Sequence, residues 1–279
     1  MTGPPAGEDA DRKKRLVTEA FDAASDHFDD GACSFLAHFG RQAVELLELR
    51  PGAHVLDCAC GTGHSSIPAA IAVGPAGHVL GLDLSKRLLE RAAAKARALG
   101  LANLELHVAD MERADLGAQT FDAVICAFGI FFVPDMEGLV RRFWSLLEPG
   151  GRLAITTWGE RLFEPASSGI WLPQLRRERP DLVDAFEPWD RIKTPEDLRA
   201  VLEGAGVEGG DILASDCQVL LRSPEDWWTM LIGLGDRWVV DQLDPAARER
   251  VRRANLAWIR DHDVRGIEVN VLYATAMKP

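Results

Sequence analysis

The middle of this chain alternates short apolar runs with longer amphipathic stretches, and no other feature constrains the fold as tightly. Runs at 54–58, 79–83, 104–108, 121–126 and 152–157 have the length and bulk of strands, and the first, second and fourth of the intervals between them are filled or partly filled by helical patterns at 65–73, 86–99 and 136–147. Such strands, joined by helix-length connections, predict an α/β fold with a parallel sheet and crossover helices on both faces. Local punctuation agrees. Pro51-Gly52 launches the first strand, Ser85 is a good N-cap for a helix that ends at Gly100, and Pro149-Gly150-Gly151 stops the helix before the fifth strand.

The rhythm breaks after Trp158. Residues 160–193 are irregular and punctuated by Pro165, Pro173, Pro180 and Pro188. Thr194-Pro195-Glu196-Asp197 then reads as a cap with proline at the first helical position, and Ser223-Pro224-Glu225-Asp226 repeats it before a Trp-rich helix. A further helix is expected over 245–261, with strands over 212–221 and 267–277. Upstream, 12–49 is helical by period, from Leu16 and Ala20 to Phe35, Phe39, Ala43 and Leu46, and these helices could cover the carboxyl edge of the first strand. The expected organisation is a disordered tail at 1–11, cap helices at 12–50 and a core at 51–279 carrying cap insertions at about 160–193 and 223–262.

Composition excludes several classes. With 31 Lys and Arg against 43 Asp and Glu the net charge is -12, which argues against a nucleic acid partner. No run approaches the ~20 apolar residues that span a membrane. The N-terminus lacks the apolar core of a signal peptide. Cys33, Cys58, Cys60, Cys126 and Cys217 fall mostly in apolar runs and read as buried thiols in a reducing cytoplasm. Cys58-Ala59-Cys60 is spaced too tightly for a C-x-x-C pair, and no metal site is expected.

The chemistry concentrates in Val55-Leu56-Asp57-Cys58-Ala59-Cys60-Gly61-Thr62-Gly63, an apolar strand running through an acid into a small-residue turn before a helix. In an open parallel sheet a nucleotide-like ligand sits at this first strand-to-helix turn. Asp83 ends the second strand 20 residues after Gly63, where a carboxylate can accept from ribose hydroxyls. Asp110 ends the third strand, followed by Met111, and could accept from an adenine amino group while its neighbour packs on the ring. The turn lacks the G-x-G-x-x-G spacing that cradles a pyrophosphate, because its small residues Ala59, Gly61 and Gly63 fall two apart. An acid beside such a turn suits a cofactor with an ammonium group and a sulfonium charge.

Together with Leu82-Asp83-Leu84-Ser85, Ala109-Asp110-Met111, Phe121-Asp122 and Leu147-Glu148-Pro149-Gly150-Gly151, this segment resembles the successive motifs of class I S-adenosylmethionine (SAM)-dependent methyltransferases. The chain is most similar to the branch that holds the ubiquinone and menaquinone C-methyltransferases and many small-molecule tailoring enzymes. Phe21-Asp22 and Phe28-Asp29 resemble that branch's N-terminal helix motif, with Phe28 where Tyr is usual, and Ala59 stands where Gly is commonest. The resemblance covers residues 20–160 well and implies a Rossmann-like seven-stranded sheet, order 3-2-1-4-5-7-6, with the last strand antiparallel. It implies that Asp57 and the Ala59-Gly61-Gly63 turn hold the methionine part of SAM and that Asp83 takes the ribose. Leu84 and Met111 would sandwich the adenine, Asp110 would bind its amino group, and the backbone at Cys126 and Ala127 would contact the amino end of the cofactor.

The expected function is methyl transfer to a carbon or oxygen of a small, apolar or aromatic acceptor such as a quinone, phenol or natural-product intermediate. Weak candidates for a base are His27, His38 and His64, each at least as readily explained as structural. The segment after the fourth strand lacks the Asn/Asp-Pro-Pro-aromatic motif of amide and base methylases, which disfavours DNA and most RNA acceptors. Phe28, Phe128, Phe131, Phe132, Trp227 and Trp228 are candidate pocket residues, and Trp171, Trp189 and Trp238 add aromatic surface outside the regular strands; core packing explains them equally well. Two rival readings stand: a SAM-fold protein that binds the cofactor without methylating, as a pericyclic-type catalyst or regulator, and a nicotinamide-dependent oxidoreductase. A homodimer is left open.

Overall fold

A computed structural model describes residues 6–183 and 188–279. The chain divides into two compact units. The larger comprises Leu36–Glu160, Trp189–Ser215 and Val271–Pro279, and the smaller comprises Met1–Phe35, Arg161–Pro188 and Asp216–Asn270.

The larger unit is built on a seven-stranded sheet. Its strands are β1 (His54–Cys58), β2 (His78–Asp83), β3 (Leu104–Val108), β4 (Phe121–Ala127), β5 (Leu147–Trp158), β6 (Asp211–Ser215) and, late in the chain, β9 (Val271–Met277). They lie in the order β3-β2-β1-β4-β5-β9-β6. Strands β1 to β5 pair in parallel, and β9 runs antiparallel to both neighbours, as the family resemblance implies. Helices α2 (Phe35–Glu45), α3 (Ser66–Val73), α4 (Lys86–Ala98), α5 (Met136–Leu146) and α8 (Pro195–Gly204) complete it.

One face of the sheet packs Val55, Val79, Ala123, Ile125 and Ala154 against Val44 of α2, Leu47 in the turn after it, and Ala69, Ala70 and Val73 of α3. Alanines on α3 let its backbone lie close to the strands. Asn103 finishes that helix by donating to the carbonyls of Ala70 and Gly74, both at 2.8 Å, which satisfies acceptors that a helix end leaves open. At α2, Gly40 allows a closer approach: a Cβ there would stand 2.5 Å from the carbonyl oxygen of His64. The caps read from sequence at Ser85 and Thr194 are present, the second as a reciprocal capping box with Asp197. Ser223 makes no side-chain cap; Asp226 instead accepts from the backbone and guanidinium of Arg222.

The smaller unit holds α1 (Ala6–Ala24), α6 (Leu172–Glu178), α7 (Pro180–Val183), α9 (Pro224–Gly233), α10 (Arg237–Asp241), α11 (Pro245–Asp261) and a two-stranded sheet of β7 (Gln218–Leu220) and β8 (Gly266–Glu268). Trp227 of α9 is fully buried; its indole N–H donates to Asn255 Oδ1 of α11 at 2.9 Å, and its ring meets Phe163 edge-on. Trp171 donates to Asp236 at 3.0 Å.

Three expectations need correction. The helix α1 begins at Ala6, inside the stretch read as a tail; residues 1–5 lie outside the described residues, as does the side chain of Trp189. The single strands expected over 212–221 and 267–277 are each divided, and their halves pair in different sheets. The break falls at Asp216 and Asn270, where the Asn270 side-chain amide donates to Asp216 at 2.6 Å. The fifth strand starts early, at Leu147, because Leu147 pairs with Phe121 of β4, and Gly150 and Gly151 then exchange backbone bonds with Lys278.

Candidate cofactor site

Strand β1 delivers Asp57 into the interior, where the sheet and α3 exclude water from its carboxylate. Its Oδ2 accepts from the hydroxyl of Ser65 at 2.7 Å and from that of Ser66. Its Oδ1 is buried without a hydrogen-bond partner. Burial pushes the Asp57 carboxyl up to about 7, the serine hydroxyls pull against that rise, and the nearby Asp83 carboxylate adds to it. A buried acceptor left open is expensive unless a donor arrives.

The turn that follows bends through three left-handed residues, Ala59 (φ 57), Gly61 (φ 54) and Gly63 (φ 85). Only Ala59 carries a Cβ there, at a steric disadvantage of about 1–2 kcal/mol. Phe128, just past β4, is a second non-glycine corner (φ 58), and Gly129 lies between the two: a Cβ on it would fall 2.5 Å from that of Ala59. Ala59→Gly is expected to raise stability by about 1 kcal/mol, read as an upward shift in Tm; a loss of stability would mean that the Ala59 methyl packs more usefully than its backbone suffers.

Asp83, at the end of β2, folds back over this turn. Its Oδ2 accepts from Gly61 N and its Oδ1 from Ser85 N, both at 2.8 Å. Asp110 follows β3, two residues beyond the Val108 that pairs with Asp83. Its Oδ1 accepts from Glu112 N at 2.9 Å, and Arg113 lies 4.0 Å from Oδ2. The three acids therefore stand at the carboxyl ends of three adjacent strands. Leu84 and Met111 beside them are half-buried, Cys126 is buried with its thiol pushed well up by desolvation, and Ala127 is half-buried.

His64 is half-buried next to Thr62, with Nε2 3.3 Å from the hydroxyl that also accepts from Lys95. His38 is exposed on α2, and His27 belongs to the smaller unit, bonded to Asp30 at 2.8 Å. Phe28, Trp227 and Trp228 also belong to the smaller unit, where Phe28 meets Phe21 edge-on. Phe131 is buried against Phe132. Phe128 stacks on Trp158 with ring centres 3.9 Å apart, and Phe39 of α2 closes on both.

Sequence reasoning missed Trp158, Ser65 and Ser66. The serines look like the start of a helix, and only their position directly after an acid-and-glycine turn hints at another use.

A 3-2-1-4-5-7-6 sheet with an acid-terminated glycine turn after its first strand defines the class I methyltransferase fold. Residues 55–151 match the family described as a methyltransferase domain. Over 204 residues the chain is 36% identical to the aklanonic acid methyltransferase of Streptomyces sp. strain C5, covering 69% of this chain and 92% of that one. It is 33% identical over 145 residues to the demethylmenaquinone methyltransferase of Bacillus cytotoxicus, covering 50% of this chain and 61% of that one. Magnesium protoporphyrin IX methyltransferase from Synechocystis PCC 6803, solved with bound SAM, shares the fold with a TM-score of 0.54 at 16% identity, covering 96% of this chain and 97% of that one. The chain belongs to the class I SAM-dependent methyltransferases, in the branch that acts on small molecules. SAM is its cofactor, and the open Asp57 Oδ1 fits the cofactor's ammonium group. Among the described residues no helix is long and apolar enough to cross a membrane.

Proposed function

We propose that this enzyme methylates a carbon or oxygen of a small aromatic or quinone-like acceptor. The observation that carries the reading is the aromatic cluster of Phe39, Phe128 and Trp158 at the carboxyl ends of β4 and β5, on a chain that matches an aklanonic acid methyltransferase along 69% of its own length and 92% of the relative's. Flat acceptors gain from stacking on aromatic rings beyond simple area burial; Phe39 and Trp158 are buried and Phe128 is half-buried, so Phe128 is the ring such an acceptor would meet. Thr156, on the same strand face as Trp158, has a buried hydroxyl without a partner and could meet a polar substituent. A nucleic acid acceptor is disfavoured by the net charge of -12. A reducing, cytoplasmic setting is consistent with five free cysteines, four of them buried.

When bound, SAM supplies an electrophilic methyl group on a sulfonium. The chain's part is to orient and to exclude water. Asp57 would hold the ammonium, Asp83 the ribose, Asp110 the adenine amino group, and Leu84 and Met111 the faces of its ring. Alignment in a dry site can supply most of the acceleration for an in-line displacement. No histidine is assigned as a base.

The test is incubation with SAM and a panel of quinones, phenols and polyketide-like acceptors, read by mass spectrometry. The expected result is S-adenosylhomocysteine together with an acceptor heavier by one methyl. Rearranged product of unchanged mass would favour the non-methylating alternative, which its named methyltransferase relatives do not support.

A further inference from the structure

Ser65 occupies the N-cap of α3, where a serine oxygen ordinarily accepts from a backbone N–H two or three residues on. It makes no such bond. Its hydroxyl is turned to Asp57 Oδ2, and the hydroxyl of Ser66 is turned to the same oxygen. Strand β2 makes room for this: a Cβ on Gly81 would stand 3.2 Å from Ser66 Oγ and 3.0 Å from Cys60 Sγ. The outcome is an asymmetric carboxylate, with one oxygen doubly engaged and the other buried and open.

We propose that Ser65 and Ser66 are positioning residues for cofactor binding, which favour the ionised form of Asp57 in a dry site and fix Oδ1 as the acceptor for the ammonium of SAM. The proposal rests on the assignment of that ammonium to Asp57. Burial and the Asp83 carboxylate oppose ionisation, and the serine donors favour it. The other titratable groups around Asp57 are Cys58, Cys60 and Cys126, whose thiols burial keeps protonated. Arg142 acts on Cys58.

A carboxyl poised at about 7 takes part in binding through its proton. An arriving ammonium favours the ionised form, so SAM binding releases a proton at pH 6–7 and none at pH 8.5. Removing a serine hydroxyl raises the carboxyl further, and each unit of that rise weakens binding roughly tenfold at pH values below it.

Titration calorimetry with SAM from pH 6 to 8.5, in two buffers of different ionisation enthalpy, tests the idea. The proteins compared are the wild type, Ser65→Ala, Ser66→Ala, Ser66→Thr and Asp57→Asn. A second probe is 5′-methylthioadenosine, which keeps the adenosine and lacks the amino acid. For Ser66→Ala and Ser65→Ala we expect SAM affinity at pH 7 to fall roughly tenfold and the proton-release window to move up. Ser66→Thr should restore both, and 5′-methylthioadenosine binding should stay flat with pH in every protein. Loss of an ordinary helix cap would lower Tm without moving that window. If the alanine variants keep the wild-type pH profile while Asp57→Asn loses SAM, the serine role is overturned alone. If Asp57→Asn binds SAM like the wild type, the Asp57 assignment fails with it. Should Ser66→Ala not fold, Ser65→Ala and Ser66→Thr still decide the outcome.

Discussion

Asp57→Asn is expected to weaken SAM binding by roughly 100-fold and, at the same time, to make the folded protein more stable at pH 8. The first effect follows from removing one member of a buried ammonium–carboxylate pair, a change that typically costs about 2–5 kcal/mol of binding. The second follows from linkage. The Asp57 carboxyl lies at about 7 in the folded chain against an ordinary 3.8, so the native state holds its proton more tightly than the unfolded state does. Between those values the unfolded chain ionises first. Stability from this group therefore falls as pH rises from about 4 to about 7 and stays low above that, by up to about 4 kcal/mol. Asparagine is nearly isosteric, keeps an oxygen for the serine hydroxyls and carries no charge to bury. Urea melts at pH 4.5 and pH 8 check the prediction: the variant should match the wild type at the lower pH and exceed it at the higher. A variant less stable at pH 8 would show that the ionised carboxylate contributes to the fold.

Trp227→Ala is expected to destabilise the smaller unit by about 3–5 kcal/mol, the range for deleting a large buried aromatic. Trp227 has no exposed surface, and its indole N–H is what satisfies Oδ1 of Asn255, a fully buried amide whose nitrogen donates to the Val251 carbonyl. Trp227→Phe separates the two contributions, because it keeps much of the ring and leaves Asn255 Oδ1 without its donor, at about 1–3 kcal/mol. Hydrogen exchange along α9 and α11 reports the loss directly. The same variants test whether Trp227 serves the acceptor. A pocket residue would lower acceptor affinity with little change in exchange; a packing residue would accelerate exchange first.

Much of the larger unit was legible because its signals are local. The strands from 54 to 158 are short runs rich in apolar residues, several of them opened by glycine or proline, and the acid-and-glycine turn is contiguous in the chain. Features that depend on distant partners were not legible. The stacking of Phe128 on Trp158 joins two strand ends 30 positions apart, and neither residue announces the other. The division of the last strands depends on Asn270 meeting Asp216 across 54 positions, so a run that looks continuous is interrupted by its partner. Ser65 was readable as a helix start, and it is one; what its periodicity could not carry is that its hydroxyl abandons the cap for Asp57.

The approach of α2 to the cofactor turn bears on where this protein can be cut. Gly40 lets the helix backbone settle against the His64 carbonyl, and Val44 and Leu47 lie over Ala69, Ala70 and Val73. A chain shortened to begin at Pro51 would keep every strand together with Asp57, Asp83 and Asp110, yet it would lay that alanine face and the turn's backbone open to solvent. Truncation tolerance should therefore end ahead of Leu36, well upstream of the first strand.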